Sequence, residues 1–337
     1  MQRSPLFKNL TLFRIQPSWS ASVEQIESAL DAGRFVPCGS TQAQSDGWVA
    51  PRGTAHGVLA ESVGGQWLLK LMSEQRVLPG SVVKRRADEL AAQIEQSSGH
   101  KPGKKQTKEL REQAQLELLP QAFTKQSTTL VWIDPQAKLL AIDSSSANRT
   151  ENIITLLVKA LEGFAITPVL THESPAAVMS AWLLHGEPPV AFTVDRECEL
   201  KSSDEMKSVV RYARHPLDID EVRLHITQGK LPTKLALTWA GRVSLLLTDT
   251  MQLKKIELLD VVLEGQAPNA TDQDASFDAD IAIATGELAQ LIPELIEALG
   301  GEQLFGQGPA TPAAVPQEAA PAVTPSDLGG GDDLPPW

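Results

Sequence analysis

The chain has 337 residues, a formal net charge of -12 at pH 7, and 42% hydrophobic against 21% charged residues. That length exceeds what one small core serves, so two or three subdomains are expected, with the apolar content of an ordinary globular protein. No apolar run approaches the ~20 residues of a membrane span, and the acid excess argues against coating of nucleic acid by the whole surface while allowing one basic lining.

Lys8 to Ile15 (KNLTLFRI) alternates like a half-buried strand. Ser22-Val23-Glu24-Gln25 is a capping-box start for a short helix that Gly33 can end. Phe35 to Gly53 is rich in turn formers with aromatic anchors and reads as a packed loop. Trp67 to Met72 (WLLKLM) reads as a strand with one wetter position at Lys70. From Leu78, two helical runs flank a turn at Gly99 to Lys105, and the second run ends at Pro120, before Phe123. Apolar positions are sparse there, so neither helix can be buried all round. Nine Lys and Arg (84, 85, 86, 101, 104, 105, 108, 111, 125) face six acids (88, 89, 95, 109, 112, 117), a local balance of +3. An exposed basic hairpin on an acidic protein is a candidate nucleic-acid surface. A solvated hairpin laced with i,i+4 pairs is the alternative.

Thr128 to Ile133 and Lys138 to Ile142 read as strands joined by a turn at Asp134 to Ala137. Asn152 to Phe164 is a regular amphipathic helix and Ala176 to His185 a shorter one. A β-rich half follows, with strands at Val190 to Val194, Ser208 to Arg214, Thr233 to Trp239, Val243 to Thr248 and Leu253 to Leu259. Ala240-Gly241 marks a hairpin turn, and Asp218 to Gln228 an inserted helix. Phe277 to Ala284 reads as a further strand and Gly286 to Leu299 as a helix closed by Gly300-Gly301. Strands and helices mix without a βαβ rhythm, so the expected class is α+β. Gly306 to Pro325 is rich in Gly, Pro and Ala, so the folded part is expected to stop near residue 301 with a disordered tail beyond.

No catalytic motif emerges. Neither HExxH nor GxSxG occurs, and the six His are scattered. Cys38 and Cys198 form no CxxC, which excludes a disulfide scaffold; without a signal-peptide pattern, cytosolic residence is the default. Gly99 to Lys105 lacks the spacing, the Ser/Thr and the preceding strand of a phosphate loop. On the expected strand at 277–284, Asp278 and Asp280 would share one face and could hold Mg²⁺, but a third ligand is missing. No metal or cofactor is expected, and a binding protein is favoured over an enzyme. A second basic zone, Arg196 to Lys234, carries nearly as many acids as bases.

Several short motifs then add up: FKNL at Phe7, PCGS at Pro37, GWVAPRG at Gly47, LLP-x-AF at Leu118, WID at Trp132, TKLAL-x-W at Thr233 and FDAD…TGELA at Phe277. In this order, across residues 6 to 301, they resemble the RdgC family of recombination-associated proteins. The resemblance implies crescent-like α+β subunits that form a ring-shaped homodimer around duplex DNA. Binding would be largely sequence-independent and would oppose RecA-promoted strand exchange. It implies an α+β central region at 1–77, a basic hairpin tip at 78–125 and a central and base region at 126–301, while the Pro/Ala/Gly-rich tail at 302–337 extends past where the family typically stops. The DNA-facing residues would be Lys84, Arg85, Lys101, Lys104, Lys105, Lys108, Arg111 and Lys125, with Arg211, Lys230 and Lys234 from the second zone. Phe123 matches the aromatic of one dimer contact. Arg214 and His215 stand where the family carries Lys-Gln at the other. A nucleoid-associated protein without membrane contact is implied, and whether single strands bind as well stays open. The last residues, Asp332, Asp333, Leu334, Pro335, Pro336 and Trp337, look like the acidic tip of single-stranded DNA-binding proteins, which repair proteins read. An adaptor working through that tip is the alternative function.

Overall fold

The computed structural model describes residues 6–54, 56–263 and 273–303. The acidic tip expected at Asp332 to Trp337 lies, with the rest of 304–337, outside the described residues. In chain order the elements begin with β1 (Leu10–Ile15), α1 (Val23–Asp31), β2 (Gln44–Val49), β3 (Ala60–Val63), β4 (Gln66–Arg76), α2 (Gly80–Ser98) and α3 (Lys104–Leu118). A 3₁₀ turn at Leu119–Gln121 leads into β5 (Thr124–Asp134), β6 (Leu139–Asp143), α4 (Ala147–Ala160), β7 (Ile166–Pro168) and α5 (Pro175–His185). The rest are β8 (Phe192–Ser202), β9 (Val209–Ala213), α6 (Asp220–Thr227), β10 (Lys230–Trp239), β11 (Val243–Thr248), β12 (Leu253–Leu258), α7 (Asp260–Leu263) and α8 (Gln273–Ala298).

The twelve strands among the described residues belong to one sheet, ordered β2-β4-β5-β6-β1-β12-β11-β10-β8-β9, with β3 on β4 and β7 on β1. Every pairing between these strands is antiparallel. With helices around it, the fold is α+β, as the absence of a βαβ rhythm requires. Strands from before and after the α2–α3 hairpin lie side by side, because β4 and β5 pair from Trp67↔Ile133 to Arg76↔Thr124.

Period-two alternation sends side chains of the central strands into two cores. In β1, Leu10 and Leu12 enter one core, Phe13 and Ile15 the other. Trp132 in β5 faces the first, while Val131 and Ile133 face the second. The first core is closed by α5, α6 and α8 through Trp182, Val222 and Leu291; the second is closed by α1 and α4 through Ile26 and Ile153. Further along, β8 and β10 to β12 feed only the first core, so their opposite face carries Glu197, Glu199, Lys201 and Lys234. The hairpin has a small core of its own: Val83, Ala87 and Leu90 on α2 against Leu110 and Ala114 on α3. No described helix is long and apolar enough to cross a membrane.

Local chemistry behaves as its residues demand. The Ser22 hydroxyl accepts from the Gln25 N–H, and the Gln25 side chain returns the bond to the Ser22 N–H. The Asp134 carboxylate accepts from the N–H groups of Gln136 and Ala137 at 2.9 Å each, which fixes the turn to β6. Ala240 and Gly241 both take positive φ at the β10–β11 turn. Pro232 sits beside a bulge in β10, where its missing N–H breaks no regular ladder.

Three expectations are corrected. Phe277 to Ala284 is not a strand but part of α8. The alternation of FDADIAIA is incidental, and Ile281, Ala284, Leu288, Leu291 and Leu295 recur at helical spacing and are all buried. Asp278 and Asp280 therefore point to different sides, two residues apart on a helix. The loop expected over Phe35 to Gly53 contains β2, whose polar start hides its pairing with β4. The strand expected at Val190 to Val194 starts at Phe192 and continues to Ser202.

Candidate nucleic-acid interface

The hairpin owes its form to one apolar stripe per helix, at 83, 87, 90 and 94 on α2 and at 110, 114 and 118 on α3. Gly99 ends α2 at φ 72°, a left-handed conformation that suits glycine, and its N–H returns to the Glu95 carbonyl. Arg86 ties the helices together by donating to Glu117 on α3 at 2.9 Å and to Glu89 at 3.1 Å. These bonds raise its pKa, and Arg86 is thereby committed to structure.

The other basic residues of the hairpin are arranged differently. Lys84, Arg85, Lys101, Lys104, Lys105, Arg111 and Lys125 are exposed. Among the described residues none of them has a carboxylate within 4 Å, and Lys108 meets Glu112 only at 3.9 Å. Lys104 and Lys105 occupy the first turn of α3, which has no side-chain cap and no acidic residue. The helix dipole disfavours cations there by roughly 0.3–1 kcal/mol each, whereas an anion is favoured. The cluster is thus electrostatically incomplete.

Two of the DNA-facing candidates of the second basic zone are spent internally. Arg211 on β9 and Lys234 on β10 both donate to the Glu199 carboxylate on β8, at 2.6 and 3.0 Å. Burial alone would raise the pKa of Glu199, but the bonds from Arg211, Lys234 and Thr233 outweigh it and hold the pKa at about 2. Lys230 is half-buried, its Nζ 3.4 Å from His225 Nδ1. The hairpin lysines and this trio therefore differ in kind.

Phe123 follows the 3₁₀ turn and is 88% exposed, with its carbonyl accepting from the Val77 N–H at 2.7 Å. Arg214 is exposed and takes φ 56°, which directs the chain out of β9. The His215 N–H donates to the Arg196 carbonyl, and its ring lies 5.9 Å from that of Tyr212. Sequence reasoning missed Arg76 at the end of β4, whose partners are main-chain carbonyls. It also missed Arg149, which donates to Ser127 and Thr129 on β5. The Arg76 bonds go to the main chain and leave no side-chain pattern, and the Arg149 bonds join hydroxyls 20 and 22 residues away in the sequence.

No group of three or more His, Cys, Asp or Glu among the described residues is placed to hold a metal ion. Asp278 is engaged by Arg52 at 2.6 Å, and the same guanidinium reaches Glu61 at 2.9 Å and lies 4.8 Å above the Phe277 ring. Paired with each other, the short sequence motifs are mostly structural. Phe7 of FKNL packs on Trp132 of WID at 5.9 Å, Arg52 of GWVAPRG binds the Asp278 of FDAD, and Trp239 donates to Glu294 of α8.

Comparison with known proteins gives the same assignment. A family model described as "Putative exonuclease, RdgC" matches residues 6–302. The chain is 44% identical over 299 residues to the recombination-associated protein RdgC of Dechloromonas aromatica, covering 88% of this chain and 98% of that protein. It is 43% identical to the RdgC of Cupriavidus pinatubonensis and 39% identical to that of Bordetella pertussis, each over 297 residues, 88% of this chain and 99% of the relative. With the match running from before β1 to the end of α8, the chain belongs to the RdgC family of recombination-associated proteins.

Proposed function

We propose that this protein binds duplex DNA without base specificity, as a ring-shaped homodimer of crescent-like subunits, and restrains RecA-dependent recombination by occupying DNA. The observation that carries the reading is the set of exposed, uncompensated lysines Lys101, Lys104 and Lys105 at the positive end of α3, on a protein of net charge -12. Segregated positive charge of this kind binds phosphate through counterion release, which ignores base sequence and falls steeply with salt. Lys84, Arg85, Lys108, Arg111 and Lys125 extend the surface. Arg211, Lys230 and Lys234 contribute less while Glu199 and His225 hold two of them and face the third. Phe123 forms one contact between copies and Arg214-His215 the other. An aromatic ring left 88% exposed is more stable when covered, and a second copy supplies the cover.

The protein acts by binding rather than by cleavage in this reading, although the family model's description names an exonuclease. Commitment of Asp278 to Arg52 supports binding. Charge reversal of Lys104 and Lys105 tests the proposal: duplex affinity falls and its salt dependence flattens. Unchanged binding refutes the assignment of this surface.

A further inference from the structure

Arg76, the last residue of β4, is surrounded by main-chain oxygens. Its guanidinium donates to the carbonyls of Cys38 and Gly39 on one side, at 3.4 and 3.2 Å. On the other side it donates to those of Leu119, Pro120 and Ala122, at 3.2, 3.4 and 3.1 Å. Its own N–H goes to the Ala43 carbonyl at 2.8 Å. The one acid close to it in sequence, Glu74, is itself occupied by the Cys38 N–H and the Gln126 side chain.

The chemistry fits the place. A helix ends in carbonyls that lack intrahelical partners and carry the negative end of its dipole, so a cation there is favoured. The 3₁₀ turn at Leu119–Gln121 continues that end of α3, and of its carbonyls that of Leu119 also accepts from the Ala122 N–H at 3.2 Å. A guanidinium can serve acceptors on two segments at once through its planar fork, which a lysine ammonium on a flexible stem cannot do in the same geometry. Arg76 therefore joins the loop before β2, the end of β4 and the exit of α3.

Phe123 follows directly. Its side chain is too exposed for packing to orient it, so its direction comes from the backbone on either side. The Ala122 carbonyl is held by Arg76, and the Phe123 carbonyl by the N–H of Val77, the residue after Arg76. We propose that Arg76 is a positioning residue that fixes the hairpin exit and aims Phe123 at the partner copy. The inference rests, for its consequence, on the reading of Phe123 as a contact between copies.

The test uses the full chain as wild type, R76K, R76A, F123A and R76A/F123A, with subunit mass by sedimentation and amide hydrogen exchange. The expected result for both Arg76 variants is exchange at least 10-fold faster at residues 119 and 121–123, unchanged protection in β5–β6, and dimer dissociation at least 10-fold easier. R76K fails like R76A because charge alone does not bridge the segments. F123A loses the dimer with exchange at 119–122 unchanged, and the double variant dissociates no more readily than F123A. Wild-type exchange and mass in R76K overturn the inference. If F123A stays dimeric, the reading of Phe123 fails instead, and exchange at 119–123 still decides the role of Arg76.

Discussion

The carboxylate of Glu199 stands 2.6 Å from the Arg211 guanidinium and 3.0 Å from Lys234 Nζ, so one acid on β8 neutralises cations on the strands to either side. Those two cations count toward the basic tally of the sequence, yet both are held by the same carboxylate, unlike Lys101, Lys104 and Lys105 on the hairpin.

The pKa of Glu199, about 2 in the folded chain, lies below the ~4.3 of an unfolded Glu. Its stabilisation is therefore present in full above the unfolded value and is lost as pH falls toward 2. E199Q is expected to cost about 1–3 kcal/mol at pH 7. The difference from wild type should shrink between about pH 5 and 2 and vanish at the bottom of that window. Urea melts at pH 7, 4 and 2.5 check this, and a pH-independent difference contradicts it.

Because Arg211 and Lys234 are already paired, removing them should alter duplex binding less than changes on the hairpin. Each phosphate contact contributes about 0.9 to the slope of log K against log salt. Reversal of Lys104 and Lys105 is expected to lower the slope by about 2, whereas R211A/K234A should leave it within about 0.5. Equal effects would place the phosphate contacts on both surfaces.

Phe123 is so exposed that F123A should change the stability of the subunit by less than about 0.5 kcal/mol. The same substitution should shift the mass toward monomer. A folded, fully dimeric F123A argues against Phe123 as a contact.

How much of this is legible in the sequence depends on the range of the interaction. The capping box at Ser22 and the turn at Asp134 are local, so three or four residues suffice to read them. The hairpin is legible because its sparse apolar stripe leaves charge on the outside. The amino-terminal half of α8 is not, because the acids and small residues of FDADIAIA mimic a period of two and only the buried Leu and Ile further on reveal 3.6. Arg76 is silent for another reason: carbonyls from residues 38–39 and 119–122 have no side-chain signature.

With Asp278 bound to Arg52, and Asp280 on another side of α8, the two acids form no shared ligand pair. Duplex DNA incubated with the protein and Mg²⁺ is expected to stay intact. D278N should cost no more than about 1 kcal/mol, through the weakened tie between α8 and the loop at Arg52. Mg²⁺-dependent cleavage abolished by D280A would restore the nuclease reading.

The most direct test of the DNA-ring account is binding of a short labelled duplex across a salt series, with the mass of the protein determined in parallel. A dimer whose affinity falls steeply with salt and is indifferent to sequence is expected. A monomer whose DNA binding is absent or insensitive to salt would contradict it.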